Sequence, residues 1–369
     1  MSRISFVKLL LVVLLTLGSS ELWATVTYQV GTCKPAPHTF QTITAALTAT
    51  PPPNVVKVCP GTYNEQVNIT YPVTLQGMIS GNSGEVIIAS PPNGLVVNAM
   101  DDLGDSIAAQ VYVEQGPDPQ QISDITLDAA NNEVIATAYV VGIFFQNSSG
   151  TANHIATRNQ MGGAAGVGVW IEGGLLLPAV TIENSSIRSF DDIGIWTQTN
   201  AASSELTATI KHNDINGGFG SGVIANSDIA MGPGATTTVS DNYLAGGTTG
   251  VFAAGSADGS ISGNTLITDG TAIAINGGGV SINGNDIFMS STQGISVNSA
   301  LPAVQRNTIT GCPIGIELNG FADNNVHSNT IMDAGIGLDQ VPAGFTVSNS
   351  YYDVGTIMIN SGGGSPQKK

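Results

Sequence analysis

Ile261-Ser-Gly-Asn264-Thr-Leu266, Ile282-Asn-Gly-Asn285-Asp-Ile287 and Val304-Gln-Arg-Asn307-Thr-Ile309 are three copies of one phrase. An apolar residue, two variable residues, Asn, one variable residue and an apolar residue recur. The series begins at Ile210-Lys-His-Asn213-Asp-Ile215 and passes through Val239-Ser-Asp-Asn242-Tyr-Leu244 and Val326-His-Ser-Asn329-Thr-Ile331. It reads as closing at Val347-Ser-Asn-Ser350-Tyr-Tyr352, with Ser in the Asn place, and Ile182-Glu-Asn-Ser185-Ser-Ile187 is an upstream copy with the same exchange. The Asn places from 213 to 350 are spaced by 29, 22, 21, 22, 22 and 21 residues.

A second phrase, Gly-Ile/Val-x-apolar, follows within each period. It reads Gly168-Val-Trp-Ile-Glu172, Gly194-Ile-Trp-Thr-Gln198, Gly222-Val-Ile-Ala-Asn226, Gly294-Ile-Ser-Val-Asn298, Gly315-Ile-Glu-Leu-Asn319 and Gly335-Ile-Gly-Leu-Asp339. Alternation of period two marks short strands. Two or three strands in about 22 residues, with no helical stretch between them, suit one coil of a parallel β-helix. Coils stack about 4.8 Å apart, so inward Ile, Val and Leu form one continuous apolar column. Asn tolerates a left-handed turn better than other non-glycine residues, and stacked Asn side chains can bond one another. These Asn residues are therefore expected to be structural, in left-handed turns.

Composition agrees. Of 369 residues 46 are Gly and only 10% are charged, against about 25% in an ordinary globular domain. With 42% apolar residues the chain can bury a core. A formal net charge of −17 argues against nucleic-acid and anionic-membrane partners. Residues 1–24 read as an export signal: Arg3 and Lys8, an apolar run from Leu9 to Leu17, then small residues at Gly18, Ser19 and Ser20 and again at Ala24, with cleavage expected after Ala24 and cleavage after Ser20 the alternative. That run is too short to span a bilayer. A secreted or periplasmic protein follows. The expected organisation is a signal over 1–24, a cap and first coils over 25–80, a solenoid over 81–360, and a disordered Gly- and Ser-rich tail over 361–369. Export permits a disulfide between Cys33 and Cys59, which flank the first folded segment; two separately buried thiols are the alternative. Cys312 is expected to be a small buried hydrophobe.

The repeats resemble those of the right-handed parallel β-helix superfamily, the pectin-lyase-like fold. Thr39-Phe-Gln-Thr-Ile-Thr-Ala-Ala-Leu47, Val55-Val-Lys-Val-Cys-Pro-Gly-Thr-Tyr-Asn-Glu65 and Pro72-Val-Thr-Leu-Gln-Gly77 are similar to the opening of pectinesterases. Phe40, Ile43 and Leu47 would share one face of a short helix, which by resemblance caps the first coil. The resemblance implies an all-β, single-stranded right-handed parallel β-helix and specifies no chemistry. The sequence lacks the Gly-Thr-Val-Asp-Phe-Ile-Phe-Gly-like and Gly-Arg-Pro-Trp stretches of pectinesterases, and shows no acidic cluster with Arg bases like that of pectate lyases. Of the four polygalacturonase elements only the Gly-Asp-Asp-like one has a counterpart, Ser189-Phe-Asp191-Asp192-Ile; Ser replaces His near Phe219-Gly-Ser-Gly222.

Asp191 and Asp192 are the candidate catalytic residues, because two carboxylates can divide acid and base work where their environments separate their pKa values. A solvated turn is the alternative. Asp101, Asp102 and Asp105 could bind calcium or line a solvated loop; no other cofactor is implied. His38, His154, His212 and His327 show no zinc spacing, so no metal site is assigned. In Gly-Ile/Val-x-apolar the second residue after Gly points outward. That outward column reads Phe144, Trp170, Trp196, Ile224 and Phe252, then Ala274, Ser296, Glu317 and Gly337. Two residues on stand Gln146, Glu172, Gln198, Asn226 and Ala254. Phe144, Trp170, Glu172, Trp196 and Gln198 are thus candidate substrate-binding residues: an exterior aromatic platform for a polysaccharide, or a column covered by the longer loops of the same half. The expected function is an exported monomer that binds or processes a polysaccharide. A glycoside hydrolase or polysaccharide lyase using Asp191 or Asp192 is one alternative, and an adhesin-like surface solenoid without a catalytic site is another.

Overall fold

A computed structural model describes residues 25–78, 84–132, 137–174, 176–199, 205–217, 225–267, 270–298, 302–320, 325–342 and 347–361. The expected signal (1–24), the tail beyond 361 and the stretch around Phe219–Gly222 with Ile224 lie outside these residues. Among the described residues thirty-five strands join one sheet system, and every pairing between these strands but one is parallel; the exception joins Ala99–Met100 to the strand Ser106–Ser123. Each coil runs through three sheets. A representative coil has Ile193–Thr199 in sheet 1, Leu206–Lys211 in sheet 2 and Asp214–Asn216 in sheet 3, and then returns to sheet 1 at Ala225–Met231. Each strand pairs with its counterpart one coil on, as Trp170↔Trp196, Ile182↔Ile210 and Ile187↔Ile215 show. The core is the column that the phrases require: Ile182, Ile210, Val239, Ile261, Ile282 and Val304 from sheet 2 and Ile187, Ile215, Leu244, Leu266, Ile287 and Ile309 from sheet 3 are buried in one cluster.

The recurring Gly has a steric cause. A Cβ on Gly194 would stand 2.7 Å from Ile215 Cγ2, and one on Gly294 2.6 Å from Ile309 Cγ2. Sheets 1 and 3 approach so closely here that only hydrogen fits.

The Asn residues are a ladder. Asn213 Nδ2 donates to Asn242 Oδ1, and the series continues through Asn264, Asn285, Asn307 and Asn329 at 2.9–3.0 Å. Each Oδ1 also accepts the backbone N–H of the preceding ladder residue, as Asn242 N to Asn264 Oδ1, and each Nδ2 also donates to a sheet 2 carbonyl, as Asn264 to Val239. Two expectations need correction. The left-handed residue is the one before the ladder Asn: His212, Asp241, Gly263, Gly284, Arg306 and Ser328 have φ between 55° and 66°. Asn is selected for its two-sided hydrogen bonding in a buried column, and its neighbour makes the bend. The ladder also closes on Asn349 rather than Ser350, because Asn329 Nδ2 donates to Asn349 Oδ1 at 2.9 Å where sheet 2 shifts register between His327 and Thr330.

At the N-terminal end one helix, α1 (Ile43–Leu47), buries Ile43, Ala46 and Leu47. Thr42 Oγ1 accepts from Ala45 N, and the Glu65 carboxylate accepts from Ile43 N and Thr44 N at 2.7 and 2.9 Å, which suits an acid at a helix start. Phe40 lies outside the helix, in the short strand Thr39–Phe40, paired with Val30. Cys33 and Cys59 form a disulfide with their Cα atoms 5.6 Å apart, and Cys312 is a buried thiol. No helix of the described residues is long and apolar enough to cross a membrane.

Candidate functional site

The outward column of sheet 1 is aromatic as its spacing requires, and it is longer than the phrase shows. Strand register runs Asn68, Tyr112, Phe144, Trp170, Trp196, Ala230, Phe252, Ala274, Ser296, Glu317 and Asp339. Ala230 and Asp339 stand where Ile224 and Gly337 were expected, and the place two residues beyond Ala230 falls to Gly232 instead of Asn226. In the coil after Trp196 the sheet 1 strand is displaced along the chain from its Gly phrase, so the phrase at Gly222 misreads the register.

The rings form one stack. Tyr112 lies 5.7 Å from Phe144, Phe144 5.5 Å from Trp170, and Trp170 4.3 Å from Trp196 with their planes 18° apart. Tyr139 meets Trp170 edge-on at 5.2 Å. Most of this stack is covered. Phe144 and Trp170 are fully buried and Tyr112 nearly so; Trp196 and Phe252 are half-buried. Of the two arrangements the sequence left open, the covered one holds for Phe144 and Trp170.

The cover is a strap over residues 95–107, which comes from an earlier coil. Ala99 and Ile107 pack on the ring stack. Gln66 holds the strap's Val96 at both N and O, and Asn98 bonds Asn68 and Ala109. Further along, Tyr112 Oη donates to Gln146 Oε1 at 2.6 Å, and Gln146 Nε2 donates to Met100 O at 2.7 Å and to Glu172 Oε2 at 3.0 Å. Asp102 N donates to Glu172 Oε1 at 3.1 Å. Gln146 and Glu172 therefore fasten the strap. Glu172 has no exposed surface, and burial pushes its carboxyl up to about 7, helped by the charges of Asp102 and Asp101 and opposed by its hydrogen bonds. Asp101 closes the strap's turn: its Oδ1 accepts from Leu103 N and Asp105 N at 3.0 and 2.7 Å. Among the described residues no three His, Cys, Asp or Glu side chains converge to hold a metal ion.

Asp191 and Asp192 are adjacent and differently employed. Asp191 accepts the backbone N–H groups of Gly162 and Gly166 through its two carboxylate oxygens, which ties down the preceding loop. Asp192 accepts from Asn226 Nδ2, and burial, with Asp191 beside it, raises its pKa. Burial first, then the charges of Asp105, Asp192 and Asp101, raises the pKa of Tyr139 as well. Charges on the strap turn and on Asp192 thus act on the same tyrosine, whose ring also lies 6.3 Å from Trp196. Gln198, two residues beyond Trp196, is buried. The sequence reading missed Tyr139 and the strap, since neither belongs to a repeat phrase.

Residues 227–365 match the family described as "Right handed beta helix region". Among solved structures, the A-module of the Azotobacter vinelandii mannuronan C-5 epimerase AlgE4 superposes with a TM-score of 0.56 at 14% identity, over 83% of this chain and 88% of that one. The tailspike gp49 of Acinetobacter baumannii bacteriophage Fri1, a capsular polysaccharide depolymerase, superposes with a TM-score of 0.51 at 13% identity, over 81% and 56%. No curated protein sequence matches the chain. Strand order, family match and superposition together identify the chain as a right-handed parallel β-helix.

Proposed function

We propose that this is an exported, secreted or periplasmic protein that binds a polysaccharide on the outer face of sheet 1, at the end of the strap. The observation that carries the reading is Trp196: one face of its ring is fixed against buried Trp170 at 4.3 Å, while the residue stays half-exposed. A ring immobilised before binding loses little entropy when a sugar face stacks on it. Both superposed proteins are named for polysaccharide chemistry, and the Cys33–Cys59 bridge suits an oxidising compartment. Trp196→Ala is expected to cut retention on insoluble polysaccharides about tenfold while melting within a few degrees of the parent. Unchanged retention would sink this reading.

The enzyme alternative rests on Asp192. It is the acid of the pair whose proton affinity burial raises, whereas Asp191 is occupied by two backbone donors. Asp192→Asn should abolish release of reducing or unsaturated ends and leave retention unchanged; a variant that still turns over removes Asp192 from the chemistry.

A further inference from the structure

A second groove lies on a different face. Between sheets 2 and 3 the chain bends at the left-handed residues Asp124, His154, Asn184 and His212, and a groove of 810 Å³ follows that bend across five successive coils, from Glu85 to Asp214. At the coil spacing it is about 20 Å long. Its sheet 3 wall is the outward column Thr126, Ala156, Ser186 and Asp214. Ala156 and Ser186 are small, and the width of the groove follows from them. The next residue of that column, one coil beyond Asp214, is Tyr243, which is 43% exposed.

The charges along this corner are unusual for so acidic a chain. All six Lys and Arg of the described residues lie along it or on its continuation: Lys34 and Lys57 beside Asp124, then Arg158, Arg188, Lys211 and Arg306. The cations bordering the groove are matched to carboxylates. Arg158 Nε bonds Asp128 at 2.8 Å and reaches Glu85 at 3.8 Å, Lys211 bonds Glu183 at 2.9 Å, and Arg188 bonds Asp214. The groove is therefore rich in oriented donors and acceptors, and its bordering cations are all paired and outnumbered by the carboxylates Glu85, Asp124, Asp128, Glu183 and Asp214. His154 and His212 side chains are 62% and 55% exposed along the bend.

We propose that this corner is a second glycan site, which takes a neutral oligosaccharide lying along the solenoid axis. Sugar hydroxyls bond the Glu85 and Asp214 carboxylates and the imidazoles of His154 and His212, and one sugar face stacks on Tyr243. Matched charges leave nothing for a polyanion to gain by ion pairing. The site is independent of the one at Trp196.

The test is titration of the full chain with cellohexaose, mannohexaose and hexagalacturonate, followed through the imidazole NMR signals of the four histidines. A neutral hexasaccharide is expected to shift His154 and His212 and to leave His38 and His327 in place. Ser186→Trp, which fills the groove from an outward position, should abolish those shifts. Tyr243→Ala should weaken binding about tenfold, and Trp196→Ala should leave it unchanged. The proposal is overturned if no hexasaccharide moves His154 and His212, if only hexagalacturonate does so, or if a folded Ser186→Trp protein binds as the parent does. Binding lost in Trp196→Ala and kept in Ser186→Trp would overturn it while upholding the sheet 1 site.

Discussion

The two halves of sheet 1 are built on the same backbone and present opposite surfaces. In the first half the outward column is Tyr112, Phe144, Trp170 and Trp196, and all but the last are buried. In the second half it is Ala274, Ser296, Glu317 and Asp339, and Glu317 there simply accepts from Gln293 and Ser296. Facing outward on a solenoid decides only that a side chain leaves the inner column. Whether it then meets water depends on a segment from another coil, here the strap over 95–107. The first half therefore has a second, exterior core, separate from the inner one, and among the described residues the second half shows no such cluster.

The sharpest way to break this comparison is to remove one outward ring beneath the strap and one beyond it. Trp170→Ala is expected to cost about 3–5 kcal/mol, the range for truncating a fully buried aromatic. Phe252→Ala, at a half-buried place of the same column, should cost below about 1.5 kcal/mol. Denaturant midpoints of the two variants settle it. Equal losses would mean that the strap contributes no second core.

The strap's fastening gives the next largest effect, and it depends on pH. Glu172 has its carboxyl raised from 4.5 to about 7 by burial, so the folded chain holds that proton more tightly than the unfolded chain. Its stabilising contribution is present in full below about pH 4.5 and is lost as pH rises through 7. The shift corresponds to about 3 kcal/mol. Asp101 and Asp102 on the strap and Gln146 beneath it face the same carboxyl. The parent should therefore lose stability between pH 5 and 8, and Glu172→Gln, which stays neutral, should lose less across that window. Parallel melting curves for the two proteins would show that Glu172 does not hold the strap through its proton.

The Cys33–Cys59 bridge could be expected from two cysteines that flank the first folded segment, and the inner core and the stacked coil could be read from the chain because each rests on a local period. The outward direction of Phe144, Trp170 and Trp196 was readable for the same reason. Their burial was not, since residues 95–107 carry no phrase and meet the stack through pairing across coils. The functions of Asp191 and Asp192 diverge for a similar reason: their neighbours Gly162, Gly166 and Asn226 lie outside the phrase that contains the pair. The register slips at Ile224, Gly337 and Ser350 share a cause as well. A phrase marks which residues belong together, while insertions between phrases decide which coil position they fill.

The smallest expected effect tests the division of labour at the sheet 2 to sheet 3 bend, where the regular half is most uniform. Gly284 has φ +66°, and a Cβ placed on it would meet nothing within 4 Å, so Gly284→Ala changes backbone preference and no packing. A left-handed conformation costs an ordinary L-residue about 1–2 kcal/mol, and a loss of that size is expected. Asn285, one residue on, has ordinary φ and is fully buried. Its Oδ1 accepts from Asn264 N and Asn264 Nδ2, and its Nδ2 donates to Ile261 O and Asn307 Oδ1. Asn285→Leu would strand buried donors of Asn264 and should cost somewhat more, about 2–3 kcal/mol. Asn285→Gly would separate the two causes. If the bend itself were what Asn285 supplies, glycine would replace it at little cost; because the ladder is what it supplies, glycine should destabilise nearly as much as leucine. Melts of the three variants against the parent, with Gly284→Ala the mildest of them, would establish that the two neighbouring positions serve different physical ends.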